Sequence, residues 1–437
     1  MTRAIVAAGV AILALHLVAM EVFRKPDGRV MFGDATHHYV QLRSLVYDRD
    51  LDFENDYLGM YGVAAGDPGT EWLDYARTPT GRVRNYMPVG PALLWLPLFL
   101  VVSGVLWLLS IVGLTVPPDG FDRALQLVPG ITGIAAVTLA ALAAWRLARA
   151  VAGDRAAGLA VWGVWLGTHA LYYSLVSPAY SHAASMLTAT LFFLHWWTTR
   201  ARVSVATLAV SGALAGVAAL MRWQDAIFLV VPVVETLRWR APLSRRAAGL
   251  AAAGAAFFAA FAPQMAVWTV LYGQPLAIPQ GPGFMQWASP HPFLVLFSDN
   301  HGLFTWAPLL LLSAAGLWTF LRRETSALAA IGLVVLLSWY ANAAAADWWA
   351  GEAFGARRFL SLFPLFVVGL ACWLRPGGRW RVGVIGGLVA ANLLLLLQYQ
   401  LYMKGMSAVA PYPAGWFDMF IVRAIVPFRL LATLAGV

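Results

Sequence analysis

Residues 247–272 read AAGLAAAGAAFFAAFAPQMAVWTVLY, without one charged side chain, and 203–221 form a second uncharged run. About 20 apolar residues in a helix match the roughly 30 Å hydrocarbon layer of a bilayer. A soluble core does not absorb such runs in a chain of 437 residues that is 60% hydrophobic and 12% charged. Backbone amides in lipid must pair within their own segment, so the spans are helical. The fold class that follows is an all-α polytopic integral membrane protein.

Charge asymmetry orients the spans. Fifteen arginines stand in short hydrophilic breaks: Arg3; Arg146, Arg149 and Arg155; Arg200 and Arg202; Arg238, Arg240, Arg245 and Arg246; Arg322 and Arg323; Arg375, Arg379 and Arg381. These breaks are expected inside. The acidic segments 34–56, 67–74, 119–122 and 347–352 fall in the alternating breaks and are expected outside. The net charge of +9 is therefore a topology signal, and nucleic acid is excluded as a partner. No small-residue cleavage pattern follows residues 5–22, which read as a retained first helix.

Parity constrains one segment. If 87–115 crossed the membrane, the arginines at 146–155 would lie outside. Pro88, Gly90, Pro91 and Pro97 predict a poor straight helix there, so the segment is assigned as a juxtamembrane or re-entrant element of a first external loop spanning 21–123. The further spans are about 124–147, 156–176, 183–199, 204–221, 226–237, 247–271, 304–320, 326–345, 358–374 and 382–402, eleven in all with the first. A twelfth at 417–436 contains Arg423 and Arg429, which favour an interfacial helix. No repeat of fixed period and no linker divides the chain, so 1–437 is one domain. The single Cys372 excludes intramolecular disulfides.

Carboxylates are scarce, 21 in all, yet five occupy positions 48, 50, 52, 54 and 56. Just before them, Tyr39, Leu42 and Leu45 or Val46 have helical spacing, which predicts a short amphipathic helix over 35–47 lying on the membrane. Asp34 stands at its N-terminus, where capping a backbone N–H is its plainest role. The five acids alternate with other residues, so an extended chain would put them on one face. Asp48, Asp50 and Asp52 also match positions one, three and five of a calcium loop. That motif fails at Phe53, where glycine is needed, and at Gly59, where a bidentate Glu is needed.

The residue types suit sugar transfer. Moving a sugar onto a hydroxyl needs a carboxylate to take the proton and positive charge to stabilise a departing phosphate. The loop supplies Asp34, Asp48, Asp50 and Asp52 as catalytic candidates. Arg222, Arg357 and Arg358, at outer ends of spans, are the phosphate candidates, since ionisable groups at membrane depth are costly and functional. Their plainer roles are a local Arg222–Asp225 pair and snorkelling of Arg357 or Arg358 to lipid phosphates. The turn 177–182 and the loop 297–306 join aromatic rings to hydrogen-bonding groups, as a sugar requires, although the 20 Trp as a set read as an interfacial belt. Candidate substrate contacts are His37, Tyr86, Tyr180, His182, His301 and Glu352.

An Asp just after helix one, a long first external loop with juxtamembrane helices, and a proline-bearing segment before helix two together resemble the GT-C superfamily of polyprenyl-phosphate-sugar glycosyltransferases. Within it, the runs 48–57, 85–90, 301–306 and 351–358 look like a bacterial branch related to protein O-mannosyltransferases and lipid A aminoarabinose transferases. The chain has Asn85 to Gly90 where the closest named families carry Lys-Pro-Pro. The resemblance implies inverting transfer from a polyprenyl-phosphate sugar to a lipid, glycan or protein acceptor at the outer face of the bacterial inner membrane. It makes Asp34 the general base, with Asp48, Asp50 or Asp52 assisting. Oligosaccharyl transferases of the superfamily bind a divalent ion through loop acids, whereas many relatives with monophosphate donors need none. One or two arginines neutralise one phosphate, so no metal ligand is assigned, and Mg or Mn dependence is left to experiment. The alternative function is a transporter or flippase of lipid-linked sugars, which would carry ionisable residues or broken helices near the midplane of several spans.

Overall fold

The computed structural model of the protein describes residues 1–22, 30–68, 70, 72–75, 77–351 and 353–435. The first helix, α1, is Thr2–Val22, and the segment after it carries α2 (Asp34–Arg43) and α3 (Glu54–Tyr61). Then come α4 (Gly90–Ile111), α5 (Arg123–Ala152), α6 (Asp154–Leu166), α7 (Ser181–Thr199) and α8 (Val205–Met221). Next are α9 (Val230–Arg238), α10 (Leu243–Tyr272), α11 (Leu309–Arg323) and α12 (Thr325–Ala343). The last are α13 (Phe363–Leu374), α14 (Arg379–Met403) and α15 (Arg423–Leu434). Among the described residues there is no sheet, only the isolated bridges Arg77–Val83 and Met285–Ala345.

The protein is an all-α multi-pass membrane protein. Among the described residues, seven helices are long and apolar enough to cross a bilayer: α1, α4, α5, α10, α12, α14, and α13 with the 3₁₀ turn Arg357–Leu362 that precedes it. The other expected spans form the shorter or less apolar helices α6, α7, α8, α9 and α11. In lipid, no hydrophobic drive pushes helices together, so close backbone approach at small residues does the holding. A Cβ added at Gly212 of α8 would lie 2.0 Å from the Ala253 carbonyl oxygen of α10. One at Gly316 of α11 would lie 1.9 Å from the Gly369 carbonyl oxygen of α13. Each pair is thus packed at a distance only glycine permits.

The hydrophilic breaks sort onto two ends of the bundle, as their charges predict. At one end Arg200 pairs with Glu324 at 2.9 Å, and Arg238 donates to the carbonyls of Thr325 and Ser326. At the other, Arg123 pairs with Glu21, Tyr39 donates to the Gly120 carbonyl at 2.7 Å, and Thr80 donates to the Leu271 carbonyl at 2.7 Å.

Two local expectations are corrected. The segment at 90–111 is a continuous helix, because Pro91 occupies its first turn, where no N–H is needed, and Pro97 is absorbed within it. Its length and apolarity do not set α4 apart from a span. Both its flanks nevertheless reach the same end: His38 donates to the Pro88 carbonyl at 2.9 Å, and Arg43 to the Asp119 carbonyl at 3.0 Å. The alternating acids do not form an extended strand either. After a π turn, Ser44–Asp48, the chain reverses and Glu54 and Asp56 enter α3. The C-terminal α15 continues a π turn, Asp418–Val422, and carries Arg423 and Arg429; it is not among the helices long and apolar enough to cross a bilayer.

Candidate active site at the start of α2

The site is built where α2 begins. Gly33 has φ +59°, and a Cβ there would fall 2.2 Å from the Tyr180 hydroxyl, so both backbone and space demand glycine. The Asp34 carboxylate makes no cap bond; it accepts a hydrogen bond on Oδ2 from Arg357 Nη1 at 2.6 Å. The partners are 323 positions apart in the chain. Their side chains retain 23% and 15% exposure, so the pair is sheltered but reachable. Arg357 opens the 3₁₀ turn before α13, and its guanidinium lies 5.7 Å from the centre of the Tyr180 ring.

Arg222 arrives from another direction, in extended backbone at the end of α8. That end is clamped: a Cβ on Gly90 of α4 would meet the Leu220 carbonyl oxygen at 2.3 Å. Asp225 and Arg222 attract each other as the local pairing expects, but their hydrogen bonds go elsewhere. Arg222 Nη1 meets the His182 ring, 3.0 Å from Nε2, while the Asp225 carboxylate accepts from Ser185 at 2.6 Å. Arg222 is buried, and its Nε has no hydrogen-bond partner. A guanidinium in that state is under-satisfied. His182 packs on Tyr173 with ring centres 4.6 Å apart and stacks on Tyr180 at 6.4 Å.

Arg358 forms a bidentate pair with Asp347, 2.7 Å to each oxygen, and donates to the Asp347 carbonyl at 2.9 Å. Neither Arg357 nor Arg358 is therefore a loose snorkelling side chain. Arg222 and Arg358 both lie within electrostatic reach of Asp34 and repel each other. Burial pushes the Asp34 carboxyl up, but the attraction of Arg357, with smaller contributions from His38, His37 and Arg222, outweighs it and leaves the group below its ordinary range. Burial drives His38 down to about 4, so this ring is neutral at physiological pH. Its Nδ1–H donates to Pro88, and its Nε2 is buried without a partner. His37 is also lowered by burial, with Nδ1 2.7 Å from the Tyr57 hydroxyl and its ring 6.0 Å from Tyr86.

His301 sits beside this centre at φ +63°. It donates from Nδ1 to the Trp349 carbonyl at 2.9 Å and accepts on Nε2 from Tyr412 at 3.1 Å. Both of its nitrogens are committed to holding loops together. Glu352 lies outside the described residues.

Asp48, Asp50 and Asp52 are not brought to Asp34. Asp48 stands at the far end of the helical run that begins with Asp34, roughly 20 Å away at the helical rise, and Asp48 and Asp50 are bonded elsewhere. Asp48 pairs with Arg43 and accepts from Asn55 at 2.9 Å, and Asp50 accepts from Ser44 at 2.8 Å and from the Asp52 N–H at 3.1 Å. Arg43 also holds Asp56 at 2.8 Å. These acids shape the turn between α2 and α3 around one arginine. Among the described residues, no group of three or more His, Cys, Asp or Glu side chains is placed to hold a metal ion.

Several residues at the centre were not singled out from sequence. His169 is buried with neither ring nitrogen partnered, against Gly355, whose added Cβ would lie 3.1 Å from the His169 Cβ. The Tyr173 hydroxyl accepts the Phe354 N–H at 3.3 Å, and Phe354 stacks on Tyr172 at 5.2 Å and meets Tyr399 at 5.4 Å. A lone His in the apolar run 156–176 was the available signal for the first. The aromatics carried none, because their spacing is that of any buried helix.

No family model matches the chain, and no curated protein matches it. Among solved structures, the crystal structure of ArnT from Cupriavidus metallidurans bound to undecaprenyl phosphate is similar over 99% of this chain and 78% of that one. Identity is 16% and the TM-score 0.47. The apo oligosaccharyltransferase of Archaeoglobus fulgidus is similar over 99% of this chain and 54% of that one, at 13% identity and TM-score 0.39. At these values neither likeness assigns a role to a side chain.

Proposed function

We propose that the chain is a GT-C-type inverting glycosyltransferase that moves a sugar from a polyprenyl-phosphate donor to a hydroxyl of a lipid, glycan or protein, with Asp34 as general base. The observation that carries this is the bond between Asp34 of α2 and Arg357 of the turn before α13, with Arg222 from the end of α8 and Arg358 within electrostatic reach of the same carboxylate. The segregation of arginine-bearing breaks to the opposite end supports an active site on the periplasmic side of the inner membrane.

The geometry supports a division of labour. The donor phosphate approaches Arg222, whose buried Nε lacks a partner, and Arg357, which exchanges part of its pairing with Asp34 for a phosphate oxygen. Asp34, held ionised by Arg357, takes the acceptor's hydroxyl proton as the oxygen attacks the anomeric carbon. The anomeric C–O bond to phosphate breaks on the opposite face, and the electron pair leaves on the phosphate, countered by the guanidiniums. His182, kept beside Arg222 by Tyr173 and Tyr180, fixes the guanidinium's direction.

Binding and chemistry separate experimentally. Undecaprenyl phosphate titrated onto purified full-length protein should bind wild type and Asp34→Asn alike. Arg222→Ala should bind about 10- to 100-fold more weakly, the range of a charge-assisted hydrogen bond to a buried partner. No binding to wild type, or equal binding to Arg222→Ala, would contradict the assignment.

A further inference from the structure

Five helices that reach the Asp34 end have their other ends around a second, unrelated cleft. It is about 270 Å³ in volume and lies between the C-terminal ends of α5, α7, α11 and α13 and the start of α14. Arg323, Arg375 and Arg381 line it, with the indoles of Trp197 and Trp373 as walls. The one carboxylate lining it, Glu324, is already paired with Arg200 at 2.9 Å, and Arg200 lies over Trp197 at 3.7 Å. Arg381 donates from Nη1 to the Trp373 carbonyl and sits 5.0 Å from the centre of that ring, while its Nε is buried without a partner. The cleft thus presents three guanidiniums whose only lining acid is neutralised elsewhere.

We propose that this cleft is a binding site for the phosphate of an anionic phospholipid headgroup. Three features favour a lipid. The cleft opens where helix ends meet the membrane surface, it is walled by indoles, which sit at headgroup depth, and basic pockets between transmembrane helices on one side of a membrane hold phospholipid headgroups. Guanidiniums match a phosphate diester through paired N–H donors. The site lies about one bilayer thickness from Asp34 along the 18 residues of 357–374, so it is separate from the donor site.

The test uses full-length protein in nanodiscs and measures lipid retained after extraction into neutral detergent, by native mass spectrometry. Wild type should retain phosphatidylglycerol over phosphatidylcholine. A surface arginine is worth roughly a fivefold factor, so R323Q/R375Q/R381Q together should lower retention about a hundredfold. R240Q, which removes an exposed charge outside the cleft, should retain lipid like wild type, and size-exclusion profiles identify any variant that has not folded. A folded triple variant that retains phosphatidylglycerol as wild type does would overturn the site. So would inorganic phosphate binding to wild type with no preference between the two lipids, which would mark the cleft as a site for a free anion. The readout is lipid retention and not transfer, so failure here leaves the reading of Asp34 untouched.

Discussion

Asp34 and Arg357 divide two demands that conflict in water. A carboxylate must stay ionised to act as a base, and a sheltered carboxylate resists ionisation. Arg357 reverses that resistance, holding the Asp34 carboxyl below its ordinary range. Because the active form is the ionised one and its proton affinity is lowered, transfer should stay flat from neutrality down through about pH 4, the ordinary range, and fall only below it. Arg357→Gln should move that acid limb upward, since burial then meets only the smaller opposition of His38, His37 and Arg222; a limb that stays in place in a pH–rate profile would separate Asp34 from the proton transfer. Asp34→Asn keeps the shape and removes the base, a loss of about 10²- to 10⁴-fold in transfer rate.

At the scale of elements, the turn between α2 and α3 depends on Arg43. It is nearly buried, holds Asp48 and Asp56, and lies 4.2 Å from the centre of the Phe121 ring. Arg43→Met takes away the shared partner of Asp48 and Asp56 and should lower the thermal midpoint of the purified protein. Burial pushes Asp56 up to about 7 despite Arg43. The folded state therefore holds that proton more tightly than the unfolded chain does, and the contribution of Asp56 to stability falls as pH climbs from about 4 toward 7. Asp56→Asn should flatten that part of the midpoint-versus-pH curve; an unchanged slope would remove Asp56 as its source. These acids also show where local pattern misleads. Strict alternation suggests a strand, but the capture of two carboxylates by Arg43, which lies outside the alternating run, outweighs a period-two cue. The π turn and helix that result cannot be read from 48–56 alone.

Across the whole molecule, what was legible depended on the range of the interaction. Apolar runs such as 247–272 and the arginine breaks between them act locally, so the helix positions and the sorting of breaks onto two ends were readable. Asp34, Arg222, Arg357 and Arg358 were nameable as scarce charges near the membrane surface. Their partners were not, because the Asp34–Arg357 bond spans 323 positions and Arg222 turns to His182, 40 residues away, in preference to nearby Asp225. The most direct test of the central claim is mass spectrometry of lipid-linked sugars and envelope glycans in cells whose only copy carries Asp34→Asn, with the variant present in the membrane at wild-type level. The account predicts that a polyprenyl-phosphate sugar accumulates while one glycosylated product disappears. A lipid-linked pool and a glycan profile identical to wild type would contradict it.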